Sequence, residues 1–231
     1  MGVLLALVAG TLAACGSTDD SGSAVSLPDA GTFRDSTVET LRGLHTAHFV
    51  VSHPKGGTDL GGGLLLHNAE GDVLLPERAA LTADTTLEEF GLSLEMGIIQ
   101  IAEETYLKDP LSGRWRTVEQ GSLPLNFVDM HNSIADALAA TTELAIALGR
   151  DVDGVSTFLV TGRVVPQAFR GLVPGAPEGE PMTLEAWIGR TDMLPRSVKL
   201  TGRLLSEDPA DMVRFLDLSR FDEPVTVEPP I

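Results

Sequence analysis

Five stretches of this chain alternate apolar and polar residues, and this alternation constrains the fold more than any other feature of the sequence. Ala47, Phe49 and Val51 alternate with Thr46, His48 and Ser52, and Leu92, Leu94, Met96 and Ile98 with Ser93, Glu95 and Gly97. The pattern returns at Phe158, Val160 and Val164, at Met182, Leu184, Ala186 and Ile188, and at Val198, Leu200 and Leu204. A period of two gives each strand one apolar and one polar face. Several such strands, separated by Gly, Pro and Asp turns, predict an antiparallel sheet with one wet side.

The apolar side needs a cover. Phe33, Val38, Leu41 and Leu44 recur at helical spacing, which predicts a helix over 31–43 ended by Gly43. Asn132 and Ser133 suit a helix cap, and Ile134, Ala137, Leu138, Thr141, Ala145 and Leu148 form a second stripe, ended by Gly149. Pro166 opens a third, short helix running to Leu172. The predicted fold class is α+β: a large curved antiparallel sheet whose apolar face is covered by two or three helices. With aromatics at only 5% of the residues, small aliphatics must fill the space beneath the cover, or a cavity remains.

Charge excludes some functions. Thirty-three Asp and Glu face sixteen Lys and Arg, a formal net charge of −17. All of it lies after Cys15, so this domain repels nucleic acid and anionic surfaces. Cys15 is the only cysteine, so the domain has no internal disulfide, no zinc ribbon and no cysteine nucleophile. There is no Gly-x-Ser-x-Gly, no phosphate-binding loop and no His-Glu-x-x-His. His45 and His48 fall on opposite faces of a strand and do not share a metal simply. Glu88-Glu89 and Glu103-Glu104 diverge as adjacent pairs and read as solvated charge. No catalytic residue, metal site or cofactor is expected.

The N-terminus carries its own signal. Val3 to Gly10 is a short apolar run, too short for a permanent span but the size of a secretion-signal core. No Lys or Arg precedes it, a departure from the usual pattern. It leads into Leu12-Ala13-Ala14-Cys15, which resembles a bacterial lipobox. That resemblance implies a signal peptide over residues 1–14, cleavage before Cys15, and acylation of the cysteine. The acyl chains would anchor the protein to the cell membrane on its extracytoplasmic (periplasmic) side. Residues 15–30 begin small and polar and read as a flexible tether, with one domain over 31–231.

Several motifs inside the domain resemble the LppX/LprAFG lipoproteins. Tyr106, Pro110 and Trp115 are similar to that family's Tyr-x-x-x-Pro-x-x-x-x-Trp segment, and Val152 to Gly162 to its Val-Asp-Gly-Val-x-x-x-x-Val-x-Gly. The loop Leu172-Val173-Pro174-Gly175, the Trp187-Ile188 strand and the ending Ser219 to Val227 follow in the same order. In the last of these, Asp222 stands where the family commonly has Gly. The resemblance implies a half-barrel sheet with helices over its concave face, enclosing an apolar cavity for a lipid or lipoglycan. An envelope transporter is a possible partner. On that reading the lipid-facing positions are Phe49, Val51, Leu92, Leu94, Met96, Ile98, Phe158, Val160, Val164, Leu184, Ile188, Leu200 and Leu204. The competing reading is a scaffold or sensor lipoprotein in which these residues form a dry core. A filled core leaves no void much larger than a water molecule, whereas a carrier needs hundreds of Å³.

If the acyl chains are the sole anchor, Cys15→Ser moves the protein from the membrane fraction to the soluble one. A variant that stays with the membrane overturns the lipobox reading.

Overall fold

The computed structural model describes residues 25–119 and 121–230. The expected signal peptide, Cys15 and most of the tether lie outside the described residues. Among these, no helix is long and apolar enough to cross a membrane.

Helix α1, Ala30–Arg42, comes first. The Asp29 carboxylate accepts from the Thr32 backbone N–H at 2.8 Å, satisfying one of the free donors of the first turn. This places the helix start one residue inside the expected tether. Phe33, Val38, Leu41 and Leu44 are buried, and Gly43 closes the C-terminus.

The strands form two meanders. The first is β1 (Thr46–Lys55), β2 (Thr58–Asp59), β3 (Leu64–Leu74), β4 (Arg78–Leu87), β5 (Leu92–Ile101), β6 (Glu104–Lys108) and β7 (Trp115–Val118). The second is β8 (Thr142–Leu148), β9 (Thr157–Val164), β10 (Met182–Gly189), β11 (Pro195–Thr201) and β12 (Val213–Ser219). Pairing of β1 with β12 joins them into one twelve-stranded antiparallel sheet. Its order is β7-β6-β5-β4-β3-β1-β12-β11-β10-β9-β8, with β2 paired to β3 off this path.

This order puts β7 and β8 at opposite edges. The chain between them must therefore cross the sheet, and it does so over the apolar side. The crossing contains a 3₁₀ turn, Phe127–Asp129, and helix α2, Met130–Ala139. Another 3₁₀ turn, at Pro166–Phe169, stands where the third helix was expected. The result is an α+β half-barrel, an open curved sheet with helices over its concave face.

Two expectations are corrected here. The second helix ends at Ala139, and residues 142–148 form edge strand β8 instead. The run is ambiguous, since Thr141, Ala145 and Leu148 suit a helix while Leu144, Ile146 and Leu148 alternate as a strand. Pairing with β9 decides it by half-burying Leu144 and Ile146 against the core. Asn132 and Ser133 do not cap α2 but lie within it. Ser133 Oγ instead accepts from the Leu172 backbone N–H at 2.5 Å. The second correction is Leu204, which lies beyond the end of β11 in the connection to β12.

Two glycines permit close approach of neighbouring segments. A Cβ on Gly71, which pairs with Phe49, would lie 2.3 Å from the Ala80 carbonyl oxygen and 2.5 Å from the Leu81 Cβ. A Cβ on Gly162 would lie 2.3 Å from Thr141 Cγ2, where the crossing segment meets β8. Gly71→Ala is thus expected to cost about 1–3 kcal/mol through overpacking. Gly175→Ala, where an added Cβ meets nothing, should stay within about 0.5 kcal/mol of the parent in urea unfolding. Equal stability of the two variants would show that the β3–β4 approach is not tight.

Candidate functional site

The concave wall is built by register. Phe49 pairs with Gly71 on one side and Leu218 on the other, and Gly71 with Leu81, Leu81 with Ile98, and Ile98 with Leu107. Val51 likewise pairs with Leu216, then Val198, Ala186, Val160 and Ile146 follow across the second meander. The wall is therefore apolar across both meanders.

The cover is fastened to this wall at a few polar points. Gln100, buried on β5, donates from Nε2 to the Leu125 carbonyl at 3.2 Å and accepts from the Phe127 N–H at 2.8 Å. Asn126 N–H donates to the Leu172 carbonyl at 2.7 Å. Phe127 stacks on Phe49 with ring centroids 5.6 Å apart, and Phe33 meets Phe158 edge-on at 5.3 Å. The two helices pack on each other and are tied at the surface by the Arg42–Asp136 ion pair, 2.8 Å.

Among the described residues, the expected lipid-facing positions do not line one chamber. Phe49, Met96, Ile98, Phe158, Val160, Val164, Leu184, Ile188, Leu200 and Leu204 are buried and packed in a single core. Val51 is half-buried against it. Leu94 is half-buried outside the packed core, and Leu92 is 45% exposed. These two lie on the apolar face of β5 by register, but at its start, beyond the reach of the cover.

A cavity of about 110 Å³ bordered by Gln100, Leu123, Leu125, Asn126 and Pro174 lies at the edge of the cover, and beneath the cover is a void of about 50 Å³. Its border includes Val51, Leu66, Leu125, Phe127, Leu172, Val173 and Leu204. A solvent-open groove of about 370 Å³ lies on the same face toward β6 and β7, lined by Leu60, Leu64, Met96, Leu107, Arg116 and Leu123. The larger groove, about 1020 Å³, opens on the opposite side. Glu70, Asp72, Lys108 and Arg220 line it, which makes it a poor host for an apolar ligand.

His53, Thr58 and Arg214 also border the small void, with polar atoms bonded to one another and to Asp208. Asp208 and Arg214 form a buried ion pair at 2.6 Å, with 4% and 9% of their side chains exposed. The second Asp208 oxygen accepts from the backbone N–H groups of Leu204 at 2.9 Å and Leu205 at 2.7 Å. Arg214 Nε donates to Thr58 Oγ1 at 3.3 Å, and Thr58 lies 2.9 Å from His53 Nε2. His53 Nδ1 lies 2.8 Å from the His67 carbonyl oxygen. A carbonyl only accepts, so Nδ1 carries the proton and Nε2 accepts from the Thr58 hydroxyl. Motif searching missed this network, although Arg214 falls on the apolar stripe of Met212, Leu216 and Leu218. A cation in that position demands a buried partner.

Burial pushes the His53 pKa below its ordinary value of 6.5, against the hydrogen bond that His53 donates to the His67 carbonyl, and nearby Arg214 lowers it further. Burial likewise lowers His131 on α2. Each takes up a proton less readily in the fold than in the unfolded chain, which therefore binds more protons below about pH 6.5. Stability is thus expected to fall as the pH drops below about 6.5, by at most about 1.4 kcal/mol per pH unit for each histidine, until the lowered pKa is reached. His53→Gln should flatten that slope in urea unfolding across the pH range. An unchanged slope in both His53→Gln and His131→Gln would assign acid sensitivity to other groups.

Residues 29–227 match the family model described as LppX_LprAFG lipoprotein. The crystal structure of LprF from Mycobacterium bovis superposes with a TM-score of 0.66 at 16% identity, covering 88% of this chain and 98% of that one. Mycobacterium tuberculosis lipoprotein LppX superposes at 0.61 with 19% identity, covering 88% and 100%. At these identities the two structures establish the fold alone. A search of curated proteins finds no match. The sequence motifs, the twelve-stranded half-barrel and the family match over 29–227 agree: the chain belongs to the LppX/LprAFG lipoprotein family.

Proposed function

We propose that this domain carries the acyl chains of a lipid or lipoglycan between the concave face of its sheet and the covering segment. Tethered through acylated Cys15 at the outer face of the cell membrane, it would exchange that cargo with an envelope transporter. The observation that carries this reading is the construction of the apolar wall. It is closed by a crossing segment held by a few hydrogen bonds, with a void left beneath it. Elements attached in this way can separate from the wall without breaking any strand pairing. The open apolar groove around Met96 and Leu107 offers an entry on the same face. The lipid-facing role of Phe49, Val51, Met96, Ile98, Phe158, Val160, Val164, Leu184, Ile188, Leu200 and Leu204 belongs to the opened state. Leu92 and Leu94 would border its rim.

A second reading has its own observation. A void of about 50 Å³ is far below the hundreds of Å³ an acyl ligand needs, so the described state is a closed core. A scaffold lipoprotein without ligand would look the same.

Leu66→Phe separates the two. Leu66 borders the void, so the larger ring has room, and the stability change should stay below about 1.5 kcal/mol. If chains enter there, the variant co-purifies with markedly less lipid than the parent, read by mass spectrometry of organic extracts. Parent protein that neither co-purifies with lipid nor takes up a fluorescent acyl probe supports the scaffold.

A further inference from the structure

We infer that Phe90, Leu92 and Leu111 dip into the surface of the lipid bilayer to which the chain is tied, so that the open groove of the concave face meets the membrane at its mouth. This rests on the lipid-anchored carrier reading above and names the end of the sheet at which cargo enters and leaves.

This fold leaves few large apolar side chains in water. Beyond Val25 and Leu27 near the tether, four are exposed among the described residues: Phe90 at 70%, Leu92 at 45%, Leu111 at 82% and Leu148. The first three stand in or beside the β4–β5 and β6–β7 turns, and alternate turns of an antiparallel meander lie at the same end of the sheet. Exposed apolar side chains that gather at one end, rather than scatter, mark a contact surface. The Glu88 N–H donates to the Gly63 carbonyl at 2.9 Å, which ties the β4–β5 turn to the loop bordering the open groove at Leu60, Gly61 and Gly62. On the apolar face of β5, Leu92, Leu94 and Met96 follow one another at about 7 Å, and Met96 lines that groove. An apolar path therefore runs from the exposed end of the sheet into the groove.

Reach and charge identify the occupant. Fifteen residues separate Cys15 from Ala30, so the chain between them spans at most about 50 Å. The ten residues of β4 are about 34 Å long, so either end of the sheet can reach the membrane. An anchor in the same bilayer holds the turns at a local concentration on the order of millimolar, and a weak contact then suffices. Residues 87–95, Leu-Glu-Glu-Phe-Gly-Leu-Ser-Leu-Glu, include no Lys or Arg. Attraction to anionic headgroups is therefore not the driving force, which leaves burial of the apolar side chains at the boundary of headgroups and acyl chains. Glu88 and Glu89, both exposed, limit the depth, because an ionised carboxylate stays at the level of the headgroups.

The test couples the chain beginning at Cys15 through that thiol, the only one, to a maleimide lipid in phosphatidylcholine vesicles with brominated acyl chains. Starting there removes the apolar run 3–10, which would itself insert, and keeps every described residue. Chemical coupling supplies the anchor whether or not the cell acylates Cys15. Bromine quenches an indole that enters the chains. Phe90→Trp is expected to lose more than about half of its added fluorescence, and Glu77→Trp, on the β3–β4 turn at the opposite end, none. Leu92→Ser with Leu111→Ser in the Phe90→Trp protein should cut that loss at least about twofold, with the melting temperature little changed because both side chains are exposed. Exchanging about a third of the lipid for phosphatidylglycerol should weaken the quenching, and added salt should restore it. Equal loss in Phe90→Trp and Glu77→Trp, or loss on anionic vesicles alone, overturns the inference. No loss in either also overturns it and assigns the apolar end to a protein partner. Uptake of a fluorescent acyl probe from the vesicles reads the carrier separately. Uptake without quenching in Phe90→Trp overturns the docking alone, and quenching without uptake overturns the carrier alone.

Discussion

The pairing of β1 with β12 is the constraint on which the rest of the structure depends. Six registered partners, from His48–Ser219 to Lys55–Val213, join the first strand to the last. Without this ladder the chain would be two separate meanders with four exposed edges. With it there is one sheet, and its remaining edges are the short β7 and the irregular β8. The connection between those edges cannot take a short path. It must cross the sheet, and burial of apolar surface sends it over the apolar side. The cover is thus a consequence of strand order.

That origin explains the character of the cover. It contributes Leu125, Phe127, Met130, Ile134 and Leu138 to the core, yet it shares no ladder with the sheet. It is tied down at a few points, through Gln100 for the backbone of Leu125 and Phe127, and through the β9–β10 connection, where Leu172 accepts from Asn126 N–H and donates to Ser133. A wall bound by ladders and a cover bound by a few isolated hydrogen bonds differ in how easily they part. The buried Asp208–Arg214–Thr58–His53 network sits where the two meet, on the β2, β1 and β12 side of the wall.

The sequence by itself determined the face-forming pattern of the sheet. Phe49, Ile98, Val160, Leu184 and Ile188 are buried where alternation put them, because a side-chain period of two leaves a strand in a half-covered sheet no other register. It also determined α1 and the motif order that matches the family over 29–227. Only the tertiary structure decided the fate of 142–148, because helical and strand periods both fit that run and only the free edge of β9 distinguishes them. Tertiary structure likewise exposed Leu92 at the uncovered end of β5, since alternation gives the face of a residue but not how far the cover extends. The polar cluster was legible only in part. The sequence put Arg214 on an apolar stripe, but Asp208, Thr58 and His53 reach it from other segments. No local pattern encodes a partnership that exists only once β1 and β12 lie side by side.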